Sequence, residues 1–476
     1  MSKSSLVWLR RDLRLTDHVA LSAATAPGEP VYVVFVFDQV ILSALQDRDD
    51  RRMTFIYDSL TEVDGKLKEA GSRLIVLHGD PINEIPALAA RLKIETVHTN
   101  ADVEPYAIQR DTSVAAKLKS QGIILETYKD HVIFIDDEVL NQSGLPFKVF
   151  TPYSRAWKSH LNEDAYKNYA VNLSSLAPAS AFSEEPGMPI LEDLGFKRNT
   201  LWLEPGEDAA NVRLKRFIPT IGHYGVARDA FGSEGTSGLS VHLRHGTISI
   251  RACVRAALDS GNPGVEKWLN ELIWRDFYHM ILSQFPHVAT GSFKPEFDAL
   301  TWPGSDEHFE AWCKGQTGMP IVDAAMRCFN ATGWMHNRLR MVVAMYLTKN
   351  LLVHWQKGEE YFARYLLDFD LAANNGGWQW SASTGVDAQP YFRVFNPVLQ
   401  SERHDPSGDF IAKWCPELSK FSPKFRHWPH DATMFDQADA GCTLGLDYPH
   451  PIVDHRANAK AAVEMFKSLS QAETKT

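Results

Sequence analysis

The residues with the most evident capacity for chemistry in this chain are its tryptophans. Of 13, eight lie between 268 and 380: Trp268, Trp274, Trp302, Trp312, Trp334, Trp355, Trp378 and Trp380. Trp is large, and its indole N–H needs a partner when buried. A helical core is filled more cheaply with Leu. Core packing accounts for any one of them. As a set they suggest a stacking platform for a ring ligand or base, or a relay for single electrons.

Polar groups of unusual spacing sit among them. In Asp368-Phe-Asp370-Leu-Ala-Ala-Asn374-Asn375-Gly376-Gly377-Trp378-Gln379-Trp380, two carboxylates are followed by two amides and two glycines. Neither helix nor strand periodicity explains the run. Carboxylates and amides together can read a donor–acceptor edge, such as the pyrimidine part of a flavin, and Gly-Gly admits close approach to the backbone. The plainer alternatives are Asp368 as a helix N-cap and Asn375-Gly376 as a turn. In Trp334-Met-His-Asn337-Arg338-Leu-Arg340-Met341, Asn337 and Met341 share a helix face at i, i+4. Arg340 reaches Asp368 or Asp370 only if the two segments meet in space.

Two further stretches fit the same theme. Trp268-Leu-Asn270-Glu271-Leu-Ile-Trp274-Arg275 puts Asn270 with Trp274, and Glu271 with Arg275, one turn apart on a helix. That suits an aromatic cleft with polar handles, with a surface ion pair as the alternative for Glu271 and Arg275. Tyr224-Gly-Val-Ala-Arg228-Asp is followed by Gly235-Thr236-Ser237-Gly238-Leu239-Ser240. A Gly/Ser/Thr turn entering a helix presents N–H groups and hydroxyls to phosphate, or is simply a loop. It is not a Walker A loop, since no Gly-Lys-Ser/Thr follows.

These residues must be positioned by a scaffold of two kinds. Over the first 135 residues short apolar runs, Leu6–Leu9, Val31–Phe37, Leu74–Leu77, Glu95–Thr99 and Ile123–Tyr128, alternate with helix-like stretches such as Arg52–Ala70 and Glu84–Lys93. Such alternation predicts a doubly wound parallel five-stranded sheet with helices on both faces. No GxGxxG follows the first strand, so this is not a standard dinucleotide site. Residues 136–202, with their Pro- and Ser/Ala-rich stretches, read as a connector. From 203 to 476 helical periodicities dominate: 207–217, 249–260, 264–284, 319–331, 333–355, 358–367 and about 454–470. The expected fold is an α/β domain (1–135), a connector (136–202) and a larger all-α domain (203–476).

Composition narrows the class. With 44% hydrophobic and 23% charged residues the chain reads as globular. No apolar run is long enough to span a bilayer, and the N-terminus lacks a signal-peptide core. Five cysteines, none in CxxC spacing, fit a reducing cytosol and argue against zinc or a disulfide framework. The net charge of −10 opposes phosphate binding. Residues 211–255 nevertheless carry Arg213, Lys215, Arg216, Arg228, Arg244, Arg251 and Arg255 against only Asp229 and Glu234. A solvated helix face is the bland account of this stretch, and a phosphate-binding patch the functional one.

Taken together the motifs resemble the photolyase/cryptochrome family, and within it class I cyclobutane pyrimidine dimer photolyases. The resemblance rests on Leu6-Val-Trp-Leu-Arg-Arg-Asp-Leu-Arg14, Phe150-Thr-Pro-Tyr153, Thr236–Ser240, Trp268–Tyr278, Gly318–Met326, Thr332–Met341, Asp368–Trp380 and Pro390–Pro397. It implies an antenna domain and a helical domain that binds FAD. It implies that Tyr224, Thr236, Ser237, Gly238, Leu239, Ser240, Trp268, Arg275, Arg340, Asp368, Phe369 and Asp370 line the FAD site, with Asn374 facing flavin N5. Trp378, Trp355 and Trp302 would photoreduce the flavin, Trp378 being nearest. Glu271, Trp274, Asn337 and Met341 would contact a flipped-out dimer, and Arg228, Arg338, Arg393 and Gln400 the DNA strand beside it. The implied activity is light-driven electron donation from reduced FAD, which splits the dimer in UV-damaged single- or double-stranded DNA. It implies a monomer acting in the cytoplasm, away from membranes.

The same resemblance bears on the branch. (6-4) photolyases and animal cryptochromes are similar in carrying a His pair where this chain has Asn337 and Met341, which favours cyclobutane dimers as substrate. Asn374 matches photolyases, where plant cryptochromes have Asp and animal ones Cys. A blue-light receptor that binds FAD without repair, and a (6-4) photolyase, are the alternatives. For a second, antenna chromophore, Ala107 stands where folate binders carry an acidic residue. Glu104-Pro-Tyr resembles deazaflavin binders, making Arg11, Phe35, Asp38, Arg51 and Glu104 the candidate contacts. An empty antenna site or a second flavin is compatible with the same residues. Val241 replaces the Pro that follows the loop's last Ser in many relatives.

Overall fold

A computed structural model describes residues 4–232, 235–262 and 264–473, with side chains assigned as far as 469. The five expected strands are present as β1 (Ser5–Leu9), β2 (Val31–Asp38), β3 (Leu74–Gly79), β4 (Thr96–Asn100) and β5 (Ile124–Tyr128). All neighbours pair in parallel, in the order β3-β2-β1-β4-β5. Strands buried on both faces read as unbroken apolar runs, and β2 (VYVVFVFD) is the clearest case. Alternate residues feed two cores. Val7, Leu9, Val33 and Phe35 meet Leu60, Val63 and Leu67 of the Arg51–Glu69 helix on one side. On the other, Leu6, Trp8, Val34 and Val36 meet Ile85 and Leu88 of the Pro81–Arg91 helix, and Val114 and Leu118 of the Pro105–Ser120 helix.

The chain divides into two compact units, Met1–Gly222 with Ser237–Pro286, and His223–Thr236 with His287–Thr476. The first holds the sheet. The connector contributes to it through three short 3-10 turns and the residues just after them, whose Leu176, Phe182, Leu191, Leu194 and Phe196 are buried against the sheet's two cores. Helices Phe150–His160, Ile250–Asp259 and Val265–Gln284 complete it.

The basic stretch 211–255 is divided: Lys215 and Arg216 are exposed, while other cations are paired within the fold. Arg251 is buried and pairs with Asp17 at 3.0 Å and Asp130 at 2.8 Å, and Arg255 also pairs with Asp17. Arg14 reaches Asp130 at 2.7 Å. Burial alone would push the Asp130 carboxyl up, but Arg14 and Arg251 outweigh it and hold it well below the usual range. Arg244 pairs with Glu104 at 2.8 Å. A buried charge persists only when paired, so much of this positive charge serves folding.

The second unit is helical around one core that contains Trp312, Trp355 and Trp378. The expected single helix over 333–355 is broken. A helix runs over Asn337–Met345, continues as a π-turn over Tyr346–Asn350, and stops; a new helix starts at Trp355 (Trp355–Tyr365). Leu352 between them takes a left-handed φ of 55°, uncommon without glycine. The cause lies in burial. Lys349 points inward, its Nζ donating to the Ala382 carbonyl at 2.9 Å and lying 3.7 Å from the Phe466 ring centre. Histidines start both helices: His336 Nδ1 accepts from Arg338 N and His354 Nδ1 from Gln356 N. His is not a favoured N-cap type, so neither start was visible in the sequence.

The second departure is the Asp368–Trp380 run, where a turn was the plainer expectation. It is a helix over Leu371–Ala382, capped by Asp370 rather than Asp368. Asn375 and Gln379 are inside it, one turn apart, and both donate to the Val288 carbonyl, at 2.9 and 3.1 Å. Amides turned inward to hold another segment erase the apolar stripe by which such a helix would be recognised.

Candidate functional site

The candidate residues fall in both units, and each group is described within its own. In the second unit the Asn337–Met345 helix displays Asn337 and Met341 side by side, Nδ2 to Sδ 4.0 Å, as their spacing predicts. Arg338 pairs with Asp229 at 2.6 Å, and Arg228 lies 4.0 Å from the same carboxylate. Burial pushes Asp229 upward, but Arg338 and then Arg228 outweigh it, so the group is held below its ordinary range. Arg228 also lies over the Tyr224 ring, 5.6 Å from its centre. The exposed Arg393 follows a turn closed by its N–H to the Pro390 carbonyl at 2.9 Å. Gln400 lies on the Pro397–His404 helix with its Oε1 buried and unmatched.

The meeting of segments that the sequence left conditional does occur. Arg340 donates to both oxygens of the buried Asp368, at 3.0 and 2.8 Å, and to the Met335 carbonyl at 2.8 Å. Phe369 beside it is half-buried against the core. One turn into the next helix, Asn374 donates its amide N–H to Glu359, to the side-chain Oε1 at 2.8 Å and the backbone carbonyl at 3.2 Å. The Asn374 carbonyl oxygen is then the part of that side chain suited to accept from a ligand N–H.

Glu359 carried no signal in the sequence. Burial pushes its carboxyl up to about 7, against a smaller lowering by Asn374. The folded chain therefore holds this proton more tightly than the unfolded chain. The associated stability is complete below about pH 4.5 and is lost as pH rises towards 7. Glu359→Gln should flatten this dependence. In urea unfolding it should be the more stable form by about 1–2 kcal/mol at pH 8, with little difference near pH 5. Parallel pH profiles for the two proteins would contradict the assignment.

The relay candidates are distributed along this unit. Trp378 and Trp355 are buried and Trp302 is half-buried. Trp302 meets His354 at 5.4 Å between ring centres, and His354 stacks on Trp355 at 5.9 Å. Trp378 has Phe362 at 5.1 Å and Trp312 at 6.0 Å. Its position depends on Gly358, where an added Cβ would come within 2.1 Å of Trp378 Cη2. Gly358→Ala should displace the Trp378 ring and cost about 1–3 kcal/mol by overpacking. A melting temperature and near-UV circular dichroism unchanged from wild type would refute that contact.

In the first unit, the loop 237–239 enters the short Ser240–His245 helix, which no side chain caps. Gly238 takes a left-handed φ of 61°, and a Cβ there would meet Arg213 Nη1 at 2.4 Å. Leu239 is buried, while Ser237 and Ser240 keep hydroxyls nearer the surface. Thr236, the last residue of its segment of the second unit, is half-buried. A helix N-terminus, hydroxyls and a constrained glycine fit the binding of a pyrophosphate.

On the Val265–Gln284 helix, Trp268 is buried against Phe217 at 5.1 Å, and Asn270 accepts from Ser154 at 3.3 Å. Arg275 donates to the His131 carbonyl. The Trp274 ring stacks nearly parallel on Phe150 at 3.6 Å, so one of its faces is covered, and Tyr278 lies against it at 5.5 Å. Glu271 is half-buried on the same helix, three residues before Trp274.

Of the antenna candidates, Arg11, Asp38 and Glu104 lie at or just past the carboxyl ends of β1, β2 and β4, near where the strand order reverses and ligands of such sheets bind. Arg11 joins Glu104 at 2.8 Å and Asp102 at 3.0 Å. Asp38 accepts from the Tyr106 hydroxyl at 2.8 Å. Phe35 is buried edge-on to Phe37. Arg51 is half-desolvated, and burial lowers its affinity for its proton despite Asp49 and Asp50. Arg11, Glu104 and Asp38 are thus engaged in a polar network of the protein itself.

The first part of the sequence, 5–170, matches the family described as DNA photolyase, and 268–468 matches the FAD binding domain of DNA photolyase. A Synechococcus protein named deoxyribodipyrimidine photo-lyase is 38% identical over 99% of this chain and 98% of its own. Among solved structures, a class III photolyase from Agrobacterium tumefaciens superimposes with a TM-score of 0.91 at 32% identity, covering 99% of this chain and 98% of that one. A photolyase from Sulfolobus tokodaii, described with two FAD molecules, superimposes with a TM-score of 0.84 at 30% identity, covering 98% and 100%.

Proposed function

The chain belongs to the DNA photolyase family, and we propose that it repairs cyclobutane pyrimidine dimers in DNA, using light and reduced FAD. The observation that carries the substrate choice is the Asn337/Met341 face. Its neighbour in the chain, His336, is buried as a helix cap, and burial pushes its ring down to about 4. It is therefore neutral and turned away from service as a proton donor of the kind (6-4) repair needs.

Bound FAD supplies the photochemistry as a light-excited one-electron donor. The chain supplies position. Arg340 with Asp368, and Asp370 at its helix start, present a fixed polar edge to the flavin ring. Asn374, its amide nitrogen engaged by Glu359, offers a carbonyl to the N5–H of the reduced form. Tyr224, Thr236, Ser237, Gly238, Leu239, Ser240, Trp268, Arg275 and Phe369 complete the set assigned to FAD. A dimer within a duplex must be extruded before it can meet a buried ring, and a weakly paired lesion is extruded at least cost. Glu271 and Asn337 then hydrogen-bond the pyrimidine edges, with Met341 and Trp274 against the rings. Arg228, Arg338, Arg393 and Gln400 hold the strand without reading its sequence. Arg393 is the most exposed of these cations, and Arg393→Ala should reduce the slope of log affinity against log salt by about 1 for every DNA sequence. An unchanged slope would remove it from the contact.

The decisive experiment mixes reduced protein with oligonucleotides carrying either lesion. Intact thymines should return from the cyclobutane dimer under blue light only. No return with reduced FAD bound would favour a light receptor. Repair of the (6-4) product alone would refute the Asn337/Met341 argument. For the antenna we favour a deazaflavin bound near Arg11, Phe35, Asp38, Arg51 and Glu104. The absorption of the pigment released on denaturation separates this from folate, from a second flavin as in the Sulfolobus protein's description, and from FAD alone. The reading carries with it a monomer in the cytoplasm, which gel filtration and cell fractionation test.

A further inference from the structure

We propose that Trp378 is supplied with electrons by a second route, through Trp312 to Tyr361 and Tyr365, besides the one through Trp355 and Trp302. This rests on the reading of Trp378 as the residue that photoreduces the flavin. The rings follow one another at contact distance: Trp378 to Trp312 at 6.0 Å between centres, Trp312 to Tyr361 at 5.8 Å, and Tyr361 to Tyr365 at 4.8 Å. Electron transfer weakens steeply with the gap between rings, so a ring in contact with Trp378 is placed to supply it alongside Trp355. Phe362 is nearer to Trp378, at 5.1 Å, but a phenyl ring is far harder to oxidise than an indole or a phenol. Trp312 is an oxidisable ring in contact with Trp378.

The local structure builds this row deliberately. Trp312 lies on the Asp306–Lys314 helix, fully buried, with its Nε1–H donating to the Val343 carbonyl at 3.0 Å. Tyr361 and Tyr365 are one turn apart on the Trp355–Tyr365 helix and so share a face. The Tyr361 hydroxyl donates to Asn330 Oδ1 at 2.8 Å. Both tyrosines are half-buried, so the row leads from the core towards solvent.

The electron balance is closed. Oxidised Trp378 takes one electron from Trp312, and oxidised Trp312 takes one from Tyr361. Tyr361 exchanges the vacancy with Tyr365. Asn330 is no base, so the oxidised phenol releases its proton to water and becomes a neutral radical. A soluble thiol then returns one electron and one proton, becoming a thiyl radical.

The test is photoreduction of oxidised FAD in the holoprotein with dithiothreitol, together with electron paramagnetic resonance of samples frozen under light. Trp355→Phe should keep about a tenth of the wild-type rate and show a tyrosyl radical. Adding Trp312→Phe or Tyr361→Phe should cut the remaining rate by about a further tenfold and remove the radical signal. Tyr361→Phe is nearly isosteric, so it carries the test even if loss of the buried indole unsettles the fold. Equal rates for Trp355→Phe and both double variants would overturn the second route. Undiminished photoreduction in Trp378→Phe would instead remove the underlying reading, and this branch with it.

Discussion

Trp378→Phe should slow photoreduction of bound oxidised FAD by about a hundredfold or more, while repair by chemically reduced enzyme changes by less than about twofold. The asymmetry follows from what each process asks of the residue. Photoreduction needs an oxidisable ring beside the flavin, and phenylalanine is not one. Repair starts from flavin already reduced and needs only the dimer and the cofactor in place. Trp378 is the residue common to both proposed routes, so its loss should exceed that of Trp302→Phe or Trp355→Phe, each of which spares the route through Trp312. The stability cost is separate. Trp378 is 3% exposed and sits over Gly358, so the smaller ring leaves a gap worth about 1–3 kcal/mol. Equal loss of photoreduction and repair would show a structural role alone.

Asp368→Ala is expected to abolish FAD retention. The carboxylate is almost fully buried, with a side-chain exposure of 3% against 27% for Arg340. Removing one partner of a desolvated pair costs more than the pair contributes, because the other charge is left uncompensated. Arg340 keeps its bond to the Met335 carbonyl and some solvent, which tempers the effect to about 2–3 kcal/mol, below the range for fully buried pairs. The variant should purify colourless, melt earlier and regain little flavin on reconstitution. Full flavin content at an unchanged melting temperature would exclude Asp368 from the FAD site. Asp368→Asn separates charge from shape: it retains hydrogen bonding to Arg340, so partial flavin retention is expected.

How far such roles can be read from sequence differs by residue. Asn337 and Met341 share a face because a helix repeats every 3.6 residues, and that much holds wherever the helix sits. Strands β1, β2 and β3 were legible for the same kind of reason, since parallel strands covered on both sides read as apolar runs. The Asp370–Ala382 region was not legible. Its amides face inward onto Val288 and its carboxylate caps the helix, so the pattern carries no apolar stripe. The break before Trp355 was hidden because it answers to a buried Lys349 and a His cap, both set by partners distant in the chain.

By itself the sequence determined the strand–helix alternation, the helical second half and, through motifs of high specificity, the family to which the chain belongs. Those are properties of local periodicity and of residue strings kept together. Only the tertiary structure decided which charges are free. It placed the buried Arg251 and the half-buried Arg255 in pairs with Asp17, Arg340 against Asp368, and Glu359 behind Asn374 with its carboxyl pushed up to about 7. It also set Trp312 against Trp378. The reason is common to all four. Pairing, desolvation and ring contact depend on distances between segments far apart in the chain, and no spacing along a sequence encodes those distances.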